Sequence, residues 1–184
     1  MYKGISLNYA ARIAHIAEVQ CLTGLGDVIA EYEAVMLECR ISPGAPGIGY
    51  VESYPIDAKH VITVTLAKPM ETSVMVKSVP QHLYQKAKRW VEEVSASGDL
   101  DLFLEYARSF GLEAGFIDNA KARLLDSLVQ RNAIRGWYVK KSVLLVVPEH
   151  DRVEDVVDAL TSLGRLRTHR VAYERAQVKL VEDP

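Results

Sequence analysis

Trp137-Tyr138-Val139-Lys140-Lys141-Ser142-Val143-Leu144-Leu145-Val146-Val147-Pro148 is the stretch whose reading decides the fold of this chain. It reads as one strand, and its last part, Val143 to Val147, is apolar at every position. A strand without alternation is covered on both faces and belongs in the centre of a sheet. Upstream, His60 to Ala67 is rich in Val, Ile and Thr and reads as a second strand, stopped by Pro69. Downstream, Leu166 to Val181 returns as strand, with a hairpin around Glu174-Arg175. Helical patterns fill the gap before Trp137. Pro80 suits a first turn, Leu83, Ala87, Trp90, Val91 and Val94 share a face, and Gly98 lies past the end. Asp99 caps the next helix, whose face is Leu100, Phe103, Leu104 and Ala107. Ile117 to Ala133 gives a third, with Leu124, Leu125, Leu128 and Val129 inward. Asp151 with Glu154 resembles a capping box before Val153, Val156, Val157, Leu160 and Leu163, and Gly164 closes that helix. The order strand, helices, strand, helix, strand predicts an α+β class: a ferredoxin-like antiparallel sheet, helices on one face, with an enlarged helical crossover.

The amino-terminal quarter has a different character. Ser6 caps a first helix with Ala10, Ile13, Ala14 and Ala17 in one stripe and His15, Glu18 and Leu22 on another face. It stops at Thr23-Gly24-Leu25-Gly26-Asp27. Val28 to Ile41 changes phase near Ala34-Val35 and reads as a short helical or irregular piece followed by a strand. The loop Pro43-Gly44-Ala45-Pro46-Gly47-Ile48-Gly49 ends it, and Tyr50 to Tyr54 is a further strand.

Composition bounds the function. In 184 residues, 49% hydrophobic and 25% charged, Lys+Arg is 22 and Asp+Glu is 24, so the net charge is 22 − 24 = −2. That balance speaks against broad electrostatic binding of nucleic acid. No apolar run reaches membrane-spanning length, no secretory core opens the chain, and two cysteines form neither a disulfide framework nor a zinc site by spacing, so a reducing cytoplasm is expected. Cys21 and Cys39 read as packing residues. Arg165, Arg167, His169 and Arg170 read as a polar sheet face, with the first three alternating onto one side.

The two glycine loops point to a site. Glycine lets backbone amides approach a ligand, and an acid closing such a turn faces whatever the turn cradles. Thr23 and the amides of Gly24 and Gly26 could hold substrate hydroxyls or a carboxylate, though an ordinary glycine helix stop explains the same residues. His15 and Glu18 could line the pocket, Glu18 holding a cation, or form an exposed i, i+3 pair. Arg40 is a candidate for a substrate carboxylate, because guanidinium pairs bidentately with carboxylates, or a solvated strand arginine. Asp27 read from spacing alone caps the segment that follows it.

Ala10-Ala11-Arg12-Ile13-Ala14-His15-Ile16-Ala17-Glu18-Val19, then Thr23-Gly24-Leu25-Gly26-Asp27-Val28, then Pro43 to Gly49, together resemble the archaeal pantoate kinases of the GHMP kinase superfamily. The resemblance implies ATP- and Mg²⁺-dependent phosphorylation of pantoate toward coenzyme A, with Asp27 as the base or electrostatic stabiliser at the acceptor hydroxyl. It implies a remnant of the amino-terminal kinase domain over 1–57 and the carboxy-terminal kinase domain over 58–184. The family's glycine-serine ATP-binding loop is not found in this sequence, so an amino-terminal kinase segment on another chain, or a homo-oligomer, is the expected partner. Where the family carries a carboxy-terminal glycine-rich stretch stands Gly136-Trp137-Tyr138-Val139-Lys140-Lys141-Ser142, whose Lys140 and Lys141 are candidates for phosphate contact. Without its covering, apolar surface around Ile5, Leu7, Ile13 and Ile16 predicts association. The alternative expectation is a non-catalytic ferredoxin-like ligand-binding or assembly module derived from such a kinase.

Overall fold

In a computed structural model, residues 4–33 and 36–171 are described, and they divide into two units, 4–55 and 56–171.

The first unit begins with α1 (Leu7–Gln20), entered through Ser6, whose hydroxyl accepts from the Tyr9 N–H at 3.2 Å. The expected cap is therefore the one observed. A turn leads to α2 (Val28–Glu33), and β1 (Leu37–Ser42) pairs antiparallel with β2 (Tyr50–Tyr54), Leu37 opposite Tyr54 and Arg40 opposite Val51. Ile29, Leu37, Cys39, Ala45 and Pro46 are its buried side chains. The loop between the strands is folded on itself: the N–H groups of Ile48 and Gly49 both donate to the Ala45 carbonyl at 2.9 Å. Helix α1 buries no residue. Leu7, Tyr9, Ile13, Ile16 and Val19 are each about half exposed, between 46% and 57%.

The second unit is a four-stranded antiparallel sheet, built from β3 (His60–Thr65), β4 (Ile134–Lys140), β5 (Val143–Pro148) and β6 (Arg165–Arg170) in the order β4-β5-β3-β6. Both central strands are therefore non-adjacent in sequence, which is the ferredoxin-like arrangement. The crossover from β3 to β4 is helical throughout: α3 (Thr72–Ser78), α4 (Gln81–Ser97), α5 (Leu100–Glu113) and α6 (Asn119–Gln130). Helix α7 (Val153–Leu160) joins β5 to β6. Asp99 caps α5 through N–H groups of Asp101 and Leu102, and Gly98 ends α4 at φ +64°. The register places Ile62, Val64, Leu144, Val146, Trp137 and Val139 on one sheet face, buried against Leu125 and Leu128 of α6 and Val156 and Leu160 of α7.

Four expectations need correction. Trp137 to Pro148 is not one strand but two, reversed at Lys141 and Ser142, with Lys141 at φ +58°. The apolar run Val143 to Val147 forms β5, which is central. Arg152, not Asp151, precedes α7, and no side chain caps that helix. Helices are not confined to one face: Leu100 and Leu104 of α5 gather with Val147, Val61 and Tyr138, whose side chains alternate onto the other side. Cys21 is exposed, not a buried packing residue, whereas Cys39 is buried. The expected hairpin around Glu174-Arg175 lies outside the described residues, as does the phase change at Ala34-Val35.

Candidate functional site

The first unit gathers seven of the residues expected at a site. Its scaffold is a stripe of α1, in which Arg12, His15 and Glu18 follow one another at i, i+3 and i+6 and are all half-buried. Residues three apart on a helix project side by side, and each of these three reaches a different part of the loops opposite.

Glu18 reaches the turn. Its Oε1 accepts from the Asp27 N–H at 3.1 Å and its Oε2 from the Val28 N–H at 3.4 Å. These amides open α2, where backbone donors lack intrahelical partners and a negative charge is favoured. The carboxylate sits so close over Gly24 that an added Cβ there would lie 1.7 Å from Oε1. A side chain there would push the Glu18 carboxylate, the movable end of its side chain, off the turn, and the close approach expected of this turn is made by the protein's own carboxylate. Thr23 closes the end of α1, its N–H donating to the Glu18 carbonyl at 3.1 Å and its hydroxyl to the same atom at 3.4 Å.

Arg40, on β1, reaches the same turn from the other side. Its Nη1 donates to the carbonyls of Leu25 at 2.8 Å and Gly26 at 2.7 Å. Gly26 has φ +83°, and an added Cβ there would lie 2.9 Å from Arg40 Nη1 and 3.0 Å from His15 Cε1. The guanidinium, the imidazole and the turn therefore meet at one glycine. His15 Nδ1 is shut off from solvent without a hydrogen-bond partner among the described residues. An imidazole nitrogen in such a place can accept or donate one further hydrogen bond. Asp27 is half-buried at the start of α2, and its carbonyl accepts from the Glu31 N–H at 3.1 Å.

The turn is thus clamped by one acid and one base from separate elements, with Asp27 as its last residue. Such a clamp fixes where the Asp27 backbone sits. Among the described residues Arg40 makes both of its hydrogen bonds through Nη1. Glu18 uses one lone pair on each oxygen for the amides and retains the others. Mg²⁺ is commonly held through one or two carboxylates together with substrate phosphates and waters, so Glu18 fits a shared role at such an ion. Among the described residues there is no group of three or more His, Cys, Asp or Glu side chains that could hold a metal.

Lys140 and Lys141 belong to the second unit, at the β4–β5 reversal. Lys140 is exposed, and Lys141 Nζ donates to the buried Thr72 hydroxyl at 2.6 Å. Arg12 was not among the expected site residues. Its place one turn before His15 and two before Glu18 was the available signal. Its Nε donates to the Pro46 carbonyl at 3.1 Å. No helix among the described residues is long and apolar enough to cross a membrane.

No protein-family model matches the chain. Among curated proteins it is similar to the pantoate kinase of Thermococcus kodakarensis (strain ATCC BAA-918 / JCM 12380 / KOD1), 31% identical over 124 residues, and to that of Methanocaldococcus jannaschii, 30% identical over 127. Each match covers 66% of this chain but 41% and 44% of the relatives, so the chain spans less than half of their length. Among solved structures it is similar to a phosphotransferase related to the CoA biosynthesis pathway, with a TM-score of 0.76, 23% identity, and coverage of 94% of this chain and 57% of that one. A mevalonate kinase matches with a TM-score of 0.61 and 10% identity, over 92% of this chain and 57% of that one. At those identities the structures establish a shared fold, while the sequence likeness is to part of a pantoate kinase.

Proposed function

For a chain related in sequence to part of pantoate kinase, we propose a role in moving a phosphoryl group from ATP to a hydroxyl of pantoate or a related hydroxy acid, on the way to coenzyme A. The chain performs it together with an amino-terminal kinase segment that carries the ATP-binding loop, in the cytoplasm. The observation that carries this reading is the clamped turn: Glu18 and Arg40 hold the backbone ahead of Asp27, and His15 joins them at Gly26.

Phosphoryl transfer asks for an acceptor hydroxyl held in line, neutralisation of charge, and a group that takes or orients the hydroxyl proton. Asp27 has the last role, as the acid that closes the turn. Thr23 and the turn of Gly24 and Gly26 hold the acceptor's polar groups. Arg40 offers its guanidinium to the acceptor carboxylate, and His15 offers its Nδ1, which has no hydrogen-bond partner among the described residues. Mg²⁺, when bound with nucleotide, neutralises phosphate charge, and Glu18 is the residue here that would share in holding it. Lys140 and Lys141 are candidates for phosphate contact, Lys141 by exchanging its bond to Thr72 for one to an anion.

The exposed apolar face of α1 supports a covering partner. Leu7, Tyr9, Ile13 and Ile16 form a continuous uncharged surface with Ala10, Ala14 and Ala17, and faces of this kind mark interfaces. The test is to combine this chain with an amino-terminal segment of a pantoate kinase, add ATP, Mg²⁺ and pantoate, and follow ADP. Turnover in the mixture above that of either part alone is the expected result. Folded parts that associate and yet release no pantoate-dependent ADP contradict the proposal.

A further inference from the structure

The second unit carries two charged faces that the proposed chemistry does not use. On β6, Arg165, Arg167 and His169 alternate onto one side of the strand and are exposed. The register sets them opposite Thr65, Thr63 and Val61 of β3, and beyond the two threonines stand Val143 and Leu145 of β5. No acid faces the arginines across two strands, and His169 Nε2 lies 2.9 Å from the Thr63 hydroxyl. Helix α5 covers the far side of this sheet face, at Gly136 and Tyr138 of β4. Among the described residues neither Arg165 nor Arg167 is in an ion pair. On α7, Glu154, Asp155 and Asp158 are exposed. Asp155 pairs with Arg152 at 2.7 Å. Glu154 and Asp158, like charges at i and i+4, have no ion-pair partner among the described residues. Such a spacing is repulsive, and Asp158 stands in the last turn of α7, where the helix dipole disfavours an anion.

The two faces cannot meet within one molecule. Helix α7 packs Val156 and Leu160 against the side of the sheet that holds Ile62 and Val64. Arg165 and Arg167 stand on the other side, with Val61. Yet the faces match in spacing. Four residues of helix rise about 6 Å, and two residues of strand span about 6.6 Å, so two carboxylates of α7 can face two guanidinium groups of β6 at once. We propose that the second unit docks head to tail on a second copy of this chain, the Glu154–Asp158 face of α7 in one molecule lying on Arg165 and Arg167 of β6 in the next. The two patches differ, so the contact is heterologous. Single-stranded nucleic acid fits this face less well, because Thr63, Thr65, Val143 and Leu145 beside the arginines offer no ring for base stacking. Exposed ion pairs are individually weak and screened by salt. The contact is therefore read at low ionic strength, and it is distinct from association through α1.

The test uses the full chain carrying Ile13→Glu and Ile16→Glu, which remove the α1 contact. Mass is read by sedimentation equilibrium at about 0.01 M and about 1 M salt, where the Debye length is about 30 Å and about 3 Å. Self-association at low salt and monomer at high salt are expected. Arg165→Glu with Arg167→Glu should weaken the association about tenfold or more, because like charges then meet, and Glu154→Lys with Asp158→Lys should do the same. An equimolar mixture of the two double variants should associate, and so should a single chain carrying all four reversals, with melting curves showing each protein folded. Arg167→Lys keeps the charge, and a carbodiimide should then join its new amine to Glu154 or Asp158 of an isotope-labelled second copy. That cross-link decides the matter where a reversal fails to fold. Monomer at low salt overturns the proposal, as does association that neither reversal weakens or that the four reversals together fail to restore. A monomer that instead binds polyglutamate or oligothymidylate through Arg165 and Arg167 also overturns it, and assigns the face to another anion.

Discussion

Under the proposed function, Glu18 and Asp27 divide between them two jobs that a single turn acid could have held. Glu18 satisfies the amides of Asp27 and Val28, and its loss leaves those donors without an acceptor. Glu18→Ala should destabilise the chain by about 1 kcal/mol, as loss of a helix cap does. Denaturant unfolding measures it, and an unchanged midpoint contradicts the clamp. Gly24→Ala should cost about as much, because a Cβ there displaces Glu18 Oε1 from the same amides. The thiols give a second residue-scale prediction. Burial, with the Glu52 carboxylate adding to it, pushes the Cys39 thiol up, while Cys21 is exposed. Since thiolate is the reactive form, native alkylation near neutral pH should label Cys21 first and Cys39 only on unfolding, as peptide mass spectrometry would read. The turn Thr23 to Asp27 was legible in sequence because glycines and an acid leave a local signature. What holds it was not. Glu18 contacts Asp27 across 9 residues and Arg40 reaches Gly26 across 14, and such contacts depend on how elements fold back.

Among the elements, α5, α6 and β4 are tied by one polar knot. Arg108 donates through Nε and Nη2 to the two oxygens of Asp126, at 2.8 and 2.5 Å, and the Trp137 indole N–H donates to Oδ1 at 3.1 Å. The Arg108 guanidinium, with help from the indole, holds the Asp126 carboxyl below its usual range. A carboxyl whose folded-state pKa is depressed contributes stability above its unfolded pKa and loses it as pH falls through the folded value. Asp126→Asn should therefore be less stable than wild type at pH 7 by about 1–2 kcal/mol, discounted because the pair is about one-third exposed. The gap should close below about pH 4, where the unfolded carboxylate is protonated. Urea titrations at several pH values measure this, and a pH-independent gap would assign the effect to packing instead. Most elements could be read from periodicity and caps, as Ser6, Asp99 and Gly98 illustrate. The β4–β5 reversal could not. It has no glycine or asparagine to announce it, and Lys141 accepts φ +58° while its ammonium is tied to Thr72 and the neighbouring Ser142 hydroxyl donates to the Lys68 carbonyl. Long-range bonds thus stabilise a turn that local sequence does not advertise.

At the scale of the whole molecule, the exposed side of α1 predicts a partner. Ile13→Glu with Ile16→Glu should abolish association seen by light scattering. It should cost little intrinsic stability, since neither side chain is buried in the chain itself. A double variant that associates like wild type would move the interface elsewhere. The ferredoxin-like order of strands was legible because β3, β5 and the helices between them each carry their own pattern. The interface was legible only as apolar residues on a helix, and the sequence does not say what meets them. The account as a whole turns on the carboxylate at the end of the clamped turn. Its most direct test is a rapid-quench measurement of phosphoryl transfer from labelled ATP to pantoate, comparing wild type with Asp27→Asn, each assembled with the amino-terminal segment. The account predicts transfer in wild type and a loss of about 10²-fold or more in Asp27→Asn, the scale of general acid–base catalysis, with unchanged assembly and melting. Equal transfer by the two proteins would contradict it.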